Sequence, residues 1–218
     1  MVEKEYSMEA PFPMNRSEKK EFEFEVIEKL IEENNGIVRT KQITQLGIDY
    51  RRIIAYVEEG RLTRVKSGYY AINLDSQNEE DLIAGMFPDG ILTMESALFY
   101  HGYLEDRPFV WKIAISKNTS KSRFKMDYPP LEPYYSEKDV LSLGVMTTKV
   151  GDSTMKIYTK DRLICDVLKY EDKMKRDDFK KAALAYIQDE DKDVAALMEC
   201  AKKRKVLKKV QNMIGVWL

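Results

Sequence analysis

Apolar positions in the first third of the chain fall into three short periodic runs and then a pair of alternating ones. Phe22, Val26, Ile27, Leu30 and Ile31 recur at helical spacing behind Ser17, an expected N-cap. Asn34, Asn35 and Gly36 supply the left-handed chemistry that ends such a helix. Ile37 to Arg39 reads as a short extended piece. Thr40 is placed to cap a helix over 41–46, with Ile43 and Leu46 facing inward, and Gly47 permits a sharp turn. Asp49 then caps a third helix reaching about Glu59, with Ile53, Ile54 and Val57 as its apolar stripe, and Gly60 ends it. Residues 62–65 and 69–74 alternate as strands around a Lys66-Ser67-Gly68 turn.

The remainder mixes both periods. Residues 75–80 are polar and mark an expected boundary, giving an arm at 1–16, a domain at 17–76 and a second domain at 77–218. Pro11 and Pro13 keep the arm irregular. The second domain predicts helices over 81–87 and from Thr93 to Tyr100, and a strand at 109–115. A long proline-bearing loop follows at 117–133, then strands at 140–143, 145–150 and 155–158. A helix capped by Asp161 runs to Tyr170, another opens at Asp177 or Asp178, and from Asp193 the pattern is helical almost to the end. The fold class is therefore α+β: an N-terminal winged helix-turn-helix, then a mixed α/β domain with a helical C-terminal part.

Three helices followed by a hairpin is the winged helix-turn-helix order. In that fold the third helix enters the DNA major groove, which admits one helix, and the second crosses the backbone. Asp49, Tyr50, Arg51, Arg52 and Tyr56 are expected to remain on the DNA side of the third helix. An arginine there can pair bidentately with guanine O6 and N7. Thr40, Lys41 and Gln42 begin the second helix, where backbone N–H groups and a lysine suit a phosphate. Arg61, Arg64 and Lys66 flank the wing.

Charge changes this picture only locally. The chain has net charge -1, so any DNA footprint must come from clustering. Between Gly36 and Asp75 seven basic residues face four acidic ones, a surplus of +3. The preceding helix is acidic and is expected to face away from DNA. A surplus this small implies weak, salt-sensitive binding by one domain, so useful affinity should need paired sites, dimerisation on DNA or help from elsewhere.

Enzyme chemistry finds little support. Cys165 and Cys200 lack a histidine or Cys-x-x-Cys partner, and His101 is the single histidine, so neither nucleophilic catalysis nor a zinc or other metal site is expected. No glycine-rich loop cradles a phosphate, and no cofactor is expected. Arg162 and Asp166, at i and i+4, read as a helix-face pair. No signal peptide or membrane span is evident, and the cytoplasm is the expected compartment. Lys202, Lys203, Arg204, Lys205, Lys208 and Lys209 crowd the last helical stretch, opposite Val206, Val210, Ile214 and Trp217. That basic face could be simply solvated, or be a second contact to nucleic acid or to a protein or membrane surface.

The order of Gly36-Ile37-Val38-Arg39-Thr40, Leu46-Gly47-Ile48, Gly60-Arg61-Leu62-Thr63-Arg64-Val65 and Gly68-Tyr69-Tyr70 resembles the N-terminal domain of AbiEi-type antitoxins of bacterial type IV toxin–antitoxin systems. The second half is similar too, through Thr93 to Leu98 with His101-Gly102, the run 111–115, and Ile157-Tyr158-Thr159 before Arg162 to Asp166. The resemblance implies a winged helix that binds inverted repeats in its own operator as double-stranded DNA and represses the promoter, an abortive-infection role. It also implies a C-terminal domain that counteracts an AbiEii-like nucleotidyltransferase toxin, with which it need not form a stable complex. The expected state is a monomer in solution or a dimer on DNA. The alternative is a winged-helix regulator whose C-terminal domain senses a ligand or dimerises.

Overall fold

The first helix begins where a capping box can form. In the computed structural model, which describes residues 13–72, 78–126, 128–213 and 215, Asn15 rather than Ser17 is the cap. Its side chain accepts from the N–H groups of Ser17 and Glu18, and the Glu18 carboxylate accepts from the Asn15 N–H. Most of the expected arm, and residues 73–77 at the expected boundary, lie outside the described residues.

The first of two compact units comprises residues 1–87 and 150–153. It runs α1 (Arg16–Glu33), β1 (Val38–Arg39), α2 (Thr40–Gln45), α3 (Tyr50–Glu58), β2 (Thr63–Lys66), β3 (Tyr69–Ala71) and α4 (Glu79–Met86). β3 lies between β1 and β2, antiparallel to both. This is the winged helix-turn-helix expected from the pattern. Asn35 and Gly36 both adopt positive φ after α1, and Gly47 does so at +81° between α2 and α3. Asp49 caps α3 through a 2.7 Å bond from the Arg51 N–H.

Phe24, Ile27 and Ile31 of α1 pack with Ile43, Ile53, Leu62 and Tyr70 in one core. Tyr56 joins them, fully buried, tilted against Phe24 with ring centroids 5.1 Å apart, and donating to the Lys20 carbonyl at 2.7 Å. The expectation that Tyr56 stays on the DNA side is therefore corrected: its ring removes more apolar area from water than the half-exposed Ile54 beside it. The units divide after Phe87, later than the expected boundary at 76/77, because Leu82, Ile83 and Met86 of α4 are buried and grouped with the first unit.

The second unit comprises residues 88–149 and 154–218. Its elements are β4 (Ile91–Leu92), α5 (Met94–Tyr100), β5 (Trp111–Ser116), β6 (Leu131–Ser136), α6 (Lys138–Leu141), β7 (Val145–Val150), β8 (Ser153–Tyr158), α7 (Lys160–Lys169), α8 (Arg176–Gln188), α9 (Val194–Arg204) and α10 (Leu207–Met213). The sheet order is β6-β5-β4-β8-β7, with β5 parallel to β6, and β4 antiparallel to β5 and parallel to β8.

Several expectations need correction here. Residues 131–136 form a strand that takes in the last three positions of the expected loop; Pro133 is compatible because β6 is an edge, where a missing N–H breaks no inner ladder. Residues 140–143, expected as a strand, belong to α6 and the turn after it. Thr159, not Asp161, caps α7. Asp161 is buried instead, accepting from the Tyr186 hydroxyl at 2.8 Å and the Asp193 N–H at 3.0 Å.

α7 is the hub of the second unit, buried from Asp161 to Leu168. The Arg162–Asp166 pair is confirmed as an ion pair, but it is interior, not a surface pairing: Arg162 is 1% exposed. Asp166 also accepts from Arg204 of α9 at 2.5 Å. Both thiols are buried, and burial pushes Cys165 up strongly and Cys200 to about 11, so neither is a ready thiolate.

Candidate nucleic-acid interface

The winged helix sorts its basic residues into two groups that sequence spacing does not separate. Arg61 is turned onto α1. Its guanidinium makes two 2.8 Å bonds to the Glu21 carboxylate and stacks 3.7 Å from the Phe24 ring centroid. Arg52 also faces α1, its Nε lying 2.9 Å from the carboxylate of buried Glu23. Lys66 is buried over the rings of Tyr69 and Phe87, at 4.5 and 4.2 Å. Gln42 is committed as well: it accepts from the Arg39 N–H at 2.9 Å and donates to Asn34 at 2.8 Å, closing the start of α2.

A second group stays open. Lys41, Arg51 and Arg64 are exposed, and among the described residues none of them makes an ion pair. Tyr50, at the first turn of α3, is 47% exposed. Thr40 is half-buried at the first turn of α2, and its N–H donates to the Gly68 carbonyl at 2.9 Å, tying α2 to the hairpin turn. Thr40, Tyr50 and Arg64 come together around Tyr70, which sequence reading passed over. The Tyr70 hydroxyl is buried and makes no well-formed hydrogen bond. Burial first, and then the Tyr50 hydroxyl, push its phenol up, while Thr40 and the Arg64 charge act in the opposite direction. One buried phenol is thus within electrostatic reach of α2, α3 and the wing at once.

The arrangement suits a duplex. Lys41 and Thr40 lie at a helix start with backbone N–H groups, Tyr50 and Arg51 at the start of the helix that occupies the recognition position, and Arg64 on the wing.

Residues 25–73 match the family model described as "Transcriptional regulator, AbiEi antitoxin". Within the first unit, this segment is similar to an AbiEi-type regulator domain. The match covers the second half of α1 to the end of the wing, so the open and the committed residues lie within it, whereas their partners Glu21, Glu23, Phe24 and Phe87 lie outside. No curated protein matches the chain at a significant level.

The basic C-terminal stretch is not one continuous face. Lys205 adopts a left-handed conformation, φ 60°, and separates α9 from α10. Arg204 is buried against Asp166, which removes it from any surface contact. Lys203 pairs with Glu199 at 2.9 Å, and Lys209 donates to the Leu168 carbonyl and to Glu171. Lys202, Lys205 and Lys208 remain exposed and, among the described residues, without an ion pair. Val206 and Val210 are buried as the pattern predicts, whereas Ile214 and Trp217 lie outside the described residues. No helix among the described residues is long and apolar enough to cross a membrane.

Proposed function

We propose that this protein is the antitoxin of a type IV toxin–antitoxin system and represses its own promoter through the N-terminal winged helix. The observation that carries the DNA-binding part is the separation of cations within an AbiEi-type domain: Lys41, Arg51 and Arg64 stay open while Arg52, Arg61 and Lys66 are bound inward. Arg51 and Tyr50 read base edges, and Lys41, Thr40 and Arg64 hold the phosphate backbone. With Lys41, Arg51 and Arg64 as the open cations of α2, α3 and the wing, operator binding uses two copies on inverted repeats, and Lys202, Lys205 and Lys208 add a non-specific contact. The second unit counteracts a nucleotidyltransferase-like toxin without enzymatic chemistry of its own.

Two measurements test this. Arg51→Ala should reduce preference for the chain's own upstream DNA over a scrambled duplex by about 1–3 kcal/mol while leaving the far-ultraviolet circular dichroism unchanged; an undiminished preference overturns the assignment. Co-expression with the product of an adjacent nucleotidyltransferase-like gene should restore growth, and failure of the full chain to restore it overturns the antitoxin reading.

A second reading, a regulator whose C-terminal unit senses a ligand, is favoured by one observation: a cavity of about 510 Å³ within that unit.

A further inference from the structure

The cavity in the second unit is within the size range of small-molecule sites, roughly 300–1,000 Å³. Its floor is built by strands. Lys112 of β5 is buried, its backbone N–H held by the Ser96 hydroxyl at 2.8 Å. The Lys112 ammonium donates to Glu95 Oε1 at 2.7 Å and lies 3.8 Å from the Glu132 carboxylate of β6. Lys112 and Glu132 are register partners on the paired strands, so both side chains emerge on one face.

Two carboxylates against one ammonium leave the floor with a surplus negative charge. The other Glu95 oxygen, Oε2, is buried and has no hydrogen-bond partner. A carboxylate oxygen accepts, so the group that would complete it is a donor. Two residues along β6 from Glu132, the Tyr134 phenol is pushed far up, by burial first and then by the Glu132 and Glu95 charges. The wall is mixed: Leu104, Pro108 and Val110 are apolar, Arg107, Lys175 and Lys181 are cationic, and Phe109 stands 84% exposed in the same lining; over the whole lining five carboxylates outnumber four cations. An aromatic ring exposed to that degree beside a cavity is surface a ligand can cover.

We propose that this cavity binds a small organic cation, a primary amine or amidine with an aromatic or aliphatic body. Its N–H groups donate to Glu95 Oε2 and face Glu132, and its body rests on Leu104, Pro108 and Phe109. A carboxylate ligand would set a third anion against this floor and would have to pair instead with Arg107, Lys175 or Lys181 of the wall. The proposal gives a chemical class to the ligand-sensing reading and rests on it only for a ligand site in this unit, not for any effect on DNA.

The test is a titration of the ¹⁵N-labelled full chain with phenethylamine, followed by amide chemical shifts, with 3-phenylpropionate as the anionic counterpart. Saturable shifts are expected at Glu95, Val110 and Lys112, with Kd near about 1 mM, the usual range for so small a ligand, and none with 3-phenylpropionate. Glu95→Gln should weaken amine binding at least about tenfold, as loss of a charged hydrogen-bond acceptor in a buried site does. Phe109→Ala, at an exposed position, should weaken it severalfold with an unchanged melting temperature. Absence of saturable shifts in the wild type overturns the proposal. So does equal binding of the carboxylate, or unchanged affinity in Phe109→Ala together with a folded Glu95→Gln. Operator affinity is measured on a separate sample, so failure of amine binding leaves the DNA reading standing, and the reverse.

Discussion

Replacing Lys41 and Arg64 together with glutamine should flatten the salt dependence of DNA binding, whereas Arg61→Gln should leave it unchanged. Lys41 and Arg64, the two cations that hold phosphates, each displace about one condensed counterion, so log K should fall against log salt with a slope of about -1.8 per domain. Between about 50 and 200 mM salt that is a loss of about 12-fold for one domain. The double variant keeps neither contact, so its slope should fall toward zero and the same salt step should cost little. Arg61 has its guanidinium committed to Glu21 and Phe24, so it releases no counterion from DNA, and its loss should not move the slope. The assay is fluorescence anisotropy of a labelled duplex from upstream of the gene across a chloride series, with a scrambled duplex in parallel. A double variant with the wild-type slope would refute the division of the cations. So would an Arg61→Gln variant that loses as much slope as Arg64→Gln.

Four further outcomes follow from the same geometry. Arg51→Ala should weaken cognate binding by about 1–3 kcal/mol and scrambled binding far less, read as the ratio of the two affinities. Asp166→Ala leaves Arg162 and Arg204 buried without their shared carboxylate, so chemical denaturation should show a loss of about 3–5 kcal/mol; a loss below about 1 kcal/mol would contradict the interior ion-pair assignment. Gly47→Ala forces a Cβ into a backbone at φ +81° and should cost about 1–2 kcal/mol, visible as a lowered melting temperature even though nothing within 4 Å opposes the added carbon. His101 donates to the Tyr158 carbonyl at 2.7 Å, and burial holds its pKa below the ordinary value. The unfolded chain therefore takes up the proton first. Stability should fall as pH drops below about 6.5 and level off once pH passes below the depressed folded pKa, and His101→Gln should remove that part of the pH dependence in denaturation curves.

The winged helix was legible because its instructions are local. Asn35-Gly36, Gly47, Asp49 and Gly68 each fix a cap or turn within a few residues, and Ile27, Ile43 and Ile53 mark one face of each helix. The second unit was legible only in part. β6 was missed because Pro133 argues against an inner strand, and nothing within residues 117–133 reveals that this strand lies on an edge. The candidate site shows the same limit more sharply. Sequence identified Lys41, Arg51 and Arg64, but it could not separate Arg51 from Arg52 or Arg64 from Arg61. The acids that claim Arg52 and Arg61 are Glu23 and Glu21, about 30 and 40 residues earlier, on a helix whose contacts form only when the core closes. For the same reason Arg204 read as part of a basic surface until α9 packed on α7 and buried it against Asp166. Local spacing determined the elements and the supply of charge; tertiary packing decided which charges remained for a partner, because a guanidinium taken out of water must find its carboxylate wherever the fold brings one.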